Sequence, residues 1–266
     1  MRLFLIFGCA FIGVSSALAA PAWQEGLSPV QPGSFPPLRP LRAQYRFGWT
    51  AFTAAEAKFE LSRAKGGLLR MEATAGSTGF PRTLWRMDAR HVGLIRERTF
   101  RPVSVLQTET YKDESRKTAI EYSATGVVCT MGTKGSDDPG TKVKRWEFPD
   151  IMDLHGTLHW VCSQRLQTGD KLRIVAYPSG APYLAEVEVL PRTTVNAMGK
   201  RRAAILLDLK LSKIDDDDLK LKPYTKFKRA SLWVGDDADR MLLRVEAEIF
   251  VGSVWAGLTK VEFTGK

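Results

Sequence analysis

The chain has 266 residues, 44% of them hydrophobic, with seven Trp, thirteen Phe and a formal net charge of +10. That much apolar and aromatic side chain excludes a disordered polymer and is enough for one large β domain or two small ones with a sizeable core. The charge favours anionic partners such as lipid head groups or acidic glycans.

Residues 1–19 read as an export signal. Arg2 supplies the positive start, and Leu3 to Val14 form an apolar run too short for a membrane span. Ala17-Leu18-Ala19 offers the small-x-small site that a signal peptidase needs. Cleavage is expected after Ala19, because cutting one residue later would place Pro21 at the new terminus. Cys9 follows Ile6-Phe7-Gly8 in a loose lipobox, but an anchor there would leave too short a leader. The chain is therefore expected to be periplasmic or otherwise exported, where nucleic acid is not the partner that its charge finds. Residues 20–41 hold Pro21, Pro29, Pro32, Pro36, Pro37 and Pro40, a composition that cannot build a ladder. They read as a Pro-rich leader linker, with an ordered strap across the domain as the alternative. Residues 42–266 read as a single β-barrel-like domain.

From Arg42 the dominant period is two. Tyr45, Phe47, Trp49 and Ala51 share one face, and Gln44, Arg46, Gly48 and Thr50 the other. Ala55, Ala57, Phe59 and Leu61 continue the pattern, and Lys65-Gly66-Gly67 turns into Leu69, Met71, Ala73 and Ala75. Three half-buried strands on short turns predict an antiparallel meander. Phe80, Leu84 and Met87 then recur at helical spacing behind Pro81, predicting a short helix from Pro81 to about Asp88. Further strands are predicted at 90–97, 103–112, 118–123, 125–131 and 142–148. A second helix follows, capped by Asp150 or Asp153 and carrying Leu154, Leu158, Val161 and Cys162 as its apolar stripe. After Gly169, strands are predicted at 171–177, 183–190, 203–212, 229–235, 241–250 and 254–263. The fold class is all-β and mainly antiparallel, a closed or open barrel or strongly curved sheet with one or two short helices packed against it.

Chemistry-bearing motifs are sparse. His155 and His159 share a helix face, but the Glu that a zinc protease places after the first His is Gly156 here, so packing is the favoured role. No nucleophile elbow, P-loop or dinucleotide fingerprint is present. Asp236, Asp237 and Asp239 lack the alternation of a calcium loop and read as turn formers. Asp215 to Asp218, flanked by lysines, reads as part of a long mobile loop over 213–228. Cys129 and Cys162 could be bridged in an oxidising compartment, though separate burial as small apolar residues is favoured.

The segment Leu232-Trp233-Val234-Gly235-Asp236-Asp237-Ala238-Asp239-Arg240, with Leu243-Arg244-Val245-Glu246 and Gly252-Ser253-Val254 after it, resembles the C-terminal signature of an exported bacterial family, domain of unknown function 3108. Arg101-Pro102, Asp153-Leu154 and Gly169-Asp170 are similar to that family's strand and helix starts, so the resemblance runs from about Ala43 to Phe263. It implies an antiparallel sheet curled into an open or closed barrel with a helix against it, and no chemistry.

The expected function is non-enzymatic, without cofactor or metal: binding or carrying an apolar or amphipathic envelope molecule, such as a lipid, inside the curved sheet. Tyr45, Phe47, Trp49, Phe59, Met71 and Leu243 are the candidate wall residues, with ordinary core filling as their competing role. The alternative is a periplasmic scaffold or interaction module for a protein or an anionic glycan, and a metal-dependent enzyme comes third. Peripheral membrane contact through basic tips such as Lys200, Arg201 and Arg202 fits either of the first two.

Overall fold

The structure, a computed structural model, describes residues 21–35, 39–135, 140–227 and 229–265. The predicted export signal and Cys9 lie outside the described residues. The first half of the chain forms β1 (Leu41–Trp49), β2 (Phe52–Ala64), β3 (Leu68–Ser77), α1 (Gly79–Leu84), β4 (Met87–Arg96), β5 (Pro102–Tyr111), β6 (Glu114–Tyr122), β7 (Gly126–Lys134) and β8 (Gly140–Glu147). After α2 (Leu154–Ser163) come β9 (Lys171–Ala176), β10 (Tyr183–Val189), β11 (Thr193–Ala197), β12 (Lys200–Ile214), β13 (Leu221–Pro223), β14 (Arg229–Gly235), β15 (Leu242–Glu248) and β16 (Ser253–Phe263).

Short turns make neighbours in sequence neighbours in space. The strand order is β8-β7-β6-β5-β4-β3-β2-β1-β16-β15-β14-β12-β10-β9, with β11 and β13 also paired to β12. The Gly66-Gly67 turn has φ of +77° and +69°, a backbone that residues with a Cβ rarely adopt. Every ladder is antiparallel, but β8 and β9 do not pair, so the sheet is not closed. Side chains span the gap instead: Gln107 Nε2 donates to the Pro178 carbonyl (2.8 Å), the Tyr122 hydroxyl to the Tyr177 carbonyl (2.6 Å) and Lys144 Nζ to the Gly180 carbonyl (3.1 Å).

Helix α2 lies on the inner face of the sheet. Asp153 caps it, its Oδ1 accepting from the Gly156 amide at 2.7 Å, while Asp150 pairs with Arg101. Trp160, Val161 and Cys162 pack in one cluster with Leu41, Leu61, Leu69, Met71, Ile95, Ile205 and Leu243. A second cluster of Ile120, Val127, Cys129, Trp146 and Tyr177 fills the side near the gap. The two cysteines therefore occupy separate clusters and are free thiols, which overturns the bridge between Cys129 and Cys162. Burial pushes the Cys129 thiol up and the Cys162 thiol up to about 12, so both are inert apolar packing groups.

The segment read as a linker is an ordered strap over its described residues 21–35. Trp23 and Val30 are buried, the Ser28 amide donates to the Arg173 carbonyl (2.9 Å) and Ser28 Oγ accepts from the Arg173 amide (3.0 Å). The strap thus satisfies part of the edge of β9, while the edge strand β8 carries mostly exposed residues, Lys144 and Arg145 among them, that discourage pairing with another chain. Gly33 crosses α2 so closely that a Cβ would sit 2.2 Å from the Ser163 carbonyl oxygen. Pro removes donors, yet Gln31 between two prolines still offers its carbonyl to Trp160 Nε1 (2.9 Å).

Three further expectations change. Helix α1 is short, and its apolar residues Phe80 and Leu84 face solvent instead of forming a buried stripe. The 213–228 loop contains β13, held to β12, with Lys222 paired to Asp215 and Lys220 to Asp218. Strand β15 stops at Glu248, leaving Val251 exposed at the following turn.

Candidate ligand-binding trough

Register places Leu41, Ala43, Tyr45, Phe47 and Trp49 of β1 on the inner face, opposite Leu61, Phe59, Ala57 and Ala55 of β2. Burial falls steadily along this row. Leu41 and Ala43, under α2, are fully buried; Tyr45 is half-buried, Phe47 is 38% exposed and Trp49 is 47% exposed. Neighbouring strands repeat the gradient. Leu69 and Met71 give way to half-buried Ala73 and Ala75 on β3, Ile95 and Gly93 to His91 and Ala89 on β4, and Leu258 to Ala256 and then exposed Val254 on β16. On β12, Ile205 and Leu207 give way to half-buried Leu209 and Leu211. Ala55 departs from the pattern, buried with Ser77 where α1 folds against β2.

The cause is the helix. Only ten residues long, α2 packs under one end of the sheet, and the inner face at the other end stays half-exposed, a candidate trough. His155 and Phe59 mark the boundary, their rings 6.1 Å apart. One wall is apolar, four alanines (Ala57, Ala73, Ala75 and Ala256) and Val245 around the rings of Tyr45 and Phe59. The other wall, on β4 to β6, is polar. There His91 Nε2 lies 3.1 Å from Glu109 Oε1, and this hydrogen bond holds the Glu109 carboxyl below its ordinary value. Tyr111 and Arg116 stand on the same face.

Of the six wall candidates, Tyr45, Phe47, Phe59 and Trp49 share the inner face of this less buried half, Tyr45 and Phe59 packing against the cluster under α2. Tyr45 is anchored by its hydroxyl, which donates to the Leu242 carbonyl (2.8 Å), and burial raises its phenol well above the usual range. Met71 and Leu243 lie beneath α2 in the packed core and line no open space, so core filling is their role. On the outer face of the same strands a groove of about 290 Å³, lined by Arg46, Glu56, Lys58 and Thr74 among others, carries an Arg46–Glu56 ion pair at 3.4 Å.

Among the described residues no group of three or more His, Cys, Asp or Glu is placed to hold an ion. His159 is buried, and its Nδ1–H donates to the His155 carbonyl (3.1 Å). Its Nε2 has no partner, and burial pushes its imidazole down to about 4. His155 is likewise pushed down to about 4, first by burial and then by the other histidines. Asp153, whose Oδ2 is unpartnered, is pushed up to about 6 by the same loss of solvent.

The turn between β14 and β15 shows why its aspartates are there. Asp237 Oδ1 accepts from the amides of Asp239 (3.2 Å) and Arg240 (3.0 Å), fixing Arg240 at φ +46°. The Arg240 side chain is thereby aimed at the C-terminus of α2. It donates to the carbonyls of Gln164, Arg165 (3.2 Å) and Cys162 (3.4 Å), with its guanidinium 3.4 Å from the Phe35 ring centroid. Sequence reasoning missed this residue.

A family model described as "Protein of unknown function (DUF3108)" matches residues 44–259, a span that contains both the Asp237–Arg240 turn and the helix that it holds. The chain belongs to this family. No curated protein matches the chain. Among solved structures, a beta-barrel-like protein of domain of unknown function DUF1849 from Brucella abortus is similar, with a TM-score of 0.59 at 10% identity over 86% of this chain and 100% of that one. That likeness shows a shared barrel-like fold. A candidate exported protein with a YmcC-like fold from Bacteroides fragilis (TM-score 0.36, 7% identity, 87% of this chain and 99% of that one) is too distant to carry an argument. The same holds for a candidate lipoprotein from Parabacteroides distasonis (TM-score 0.32, 6% identity, 87% and 99%). Membership of DUF3108 and the likeness to the Brucella abortus protein thus give the chain a family and a fold architecture.

Proposed function

We propose that this DUF3108 protein is an exported, non-enzymatic binding protein that holds an amphipathic envelope molecule, a lipid being the leading class, in the trough. The observation that carries this reading is the change along a single face of the sheet from filled core to half-exposed alanine and aromatic side chains. A protein that needed only a stable core would gain by filling that half, since each large apolar side chain buried contributes roughly 1.5–3 kcal/mol. An apolar wall beside the His91–Glu109 wall, with Ala73 paired directly to His91, suits a ligand with an acyl and a polar part. Export rests on the signal over residues 1–19, with cleavage after Ala19. No helix among the described residues is long and apolar enough to cross a membrane.

Native mass spectrometry of the protein purified from its own envelope tests the proposal. A co-purifying lipid is expected, and it should be lost from the Ala57→Trp/Ala75→Trp variant, whose indoles fill the trough. A clean apo mass for the unaltered protein would favour an interaction module instead.

A further inference from the structure

Register places the β1–β2 turn, the β3–α1–β4 connection, the β5–β6 turn and the β15–β16 turn at one end of the sheet, the open end of the trough. Among the described residues, nine of the eleven large apolar side chains left exposed stand at this end, so their exposure is not scattered surface noise. Phe52, which opens β2, is 69% exposed, Phe80 74% and Phe250 92%, each beside or on a different connection. Trp49, Trp85 and Val251 accompany them.

The connections are built to hold these tips still. Trp49 Nε1 donates to the Val251 carbonyl and Trp255 Nε1 to the Thr50 carbonyl, both at 2.8 Å, tying the first hairpin to the last. Gly252, at φ +77°, lets the hairpins approach so closely that a Cβ would meet Thr50 Cγ2 at 2.4 Å. On the α1 side, Arg82 and Arg86 both reach Asp88 (2.9 and 3.7 Å), and the Lys112 amide donates to the Arg86 carbonyl (3.0 Å). The tips are thus presented on ordered backbone.

We propose that this end docks on an anionic phospholipid bilayer, with Phe52, Phe80 and Phe250 entering the interface. Three aromatic side chains on separate tips make an uneven footing rather than a flat patch. A fluid interface accommodates such relief without a matching surface, and aromatic rings prefer that depth. The charge of the molecule as a whole is complementary: the chain carries +10, or +9 without Arg2 of the expected signal, and exposed Arg86 and Lys112 stand among these connections beside Asp88 and Asp113. Each cation near an anionic leaflet adds to the attraction. Docking deepens the reading above, because it turns the trough opening toward the lipid it would take, but it does not depend on the trough being filled.

Vesicle sedimentation with the full chain tests it, using phosphatidylglycerol–phosphatidylethanolamine and pure phosphatidylcholine vesicles. The unaltered protein should sediment with the anionic vesicles and far less with the zwitterionic ones. Phe52→Ser/Phe80→Ser/Phe250→Ser should lower partitioning roughly 100-fold or more, while its thermal unfolding stays unchanged. The trough-filled Ala57→Trp/Ala75→Trp variant should still sediment, which separates docking from carriage. Equal partitioning to both vesicle types overturns the anionic surface, and no partitioning, or no loss in the triple variant, overturns docking altogether. A dimer in solution that dissociates in the triple variant would assign the tips to a second copy of the chain and likewise overturn the proposal.

Discussion

The two ends of the sheet are made of the same strands and the same alternation, yet one is a core and the other a trough. At the α2 end, inner residues such as Leu41, Met71 and Ile95 are wholly buried; a few residues along the same strands, Tyr45, Ala75 and Ala89 are not. The difference lies in what is laid across them. A helix, a strap and a single arginine cover the first, and nothing described covers the second. Period two therefore states which face is inward, but whether that face is filled is decided by elements that arrive from elsewhere in the chain.

The sharpest way to break the comparison is to release the helix. Arg240→Ala leaves the carbonyls of Cys162, Gln164 and Arg165 without their donor and removes the contact with Phe35. A loss of about 4 kcal/mol is expected in urea unfolding, because buried hydrogen bonds to charged groups are among the stronger ones. Next, truncations at the two ends should differ: Met71→Ala should cost about 3 kcal/mol through the cavity left under α2, and Phe47→Ala less than about 1 kcal/mol. Equal costs would mean that the trough is packed in solution.

A third test uses pH. His159 has an ordinary value of 6.5 when unfolded and about 4 when folded, so its stabilising contribution is fully present above pH 6.5 and is lost as pH falls through 4. The size is about 3 kcal/mol from the displacement of the imidazole. His155 acts in the same direction. Asp153 acts oppositely: raised from 3.8 to about 6, it contributes most below pH 3.8 and loses that contribution as pH rises through 6, so it offsets part of the histidine loss on acidification. Asp153→Asn keeps an oxygen for the cap and removes the titration. Its stability should fall more steeply than that of the unaltered protein between pH 6.5 and 4, as measured by urea midpoints across that range.

Much of the architecture was legible in the residues. The Gly66-Gly67 turn, the Pro102 strand start, the Asp153 cap and the alternation of Tyr45, Phe47 and Trp49 are each local, involving neighbours whose spacing the chain itself displays. Local signals also misled. Pro29 and Pro32 suggested a linker because they remove donors, whereas Gly33 and Gln31 fasten the same stretch to α2 from 130 and 129 positions away. Phe80 and Leu84 keep helical spacing, but six residues make too short a helix to bury a stripe. Phe52 and Phe250 at turn positions were a visible signal of the exposed tips, since turns usually avoid large apolar residues.

By itself the sequence determined an antiparallel all-β chain of this family, with its turns, caps and inward face, because those follow from dihedral preference and spacing within a few residues. Tertiary structure decided that the sheet stays open between β8 and β9, that the cysteines lie apart, and that α2 fills one half of the concavity and not the other. Those outcomes depend on contacts such as Arg240 with Gln164, 76 positions apart, whose free energy belongs to packing and to satisfied buried polar groups rather than to any local stretch of chain.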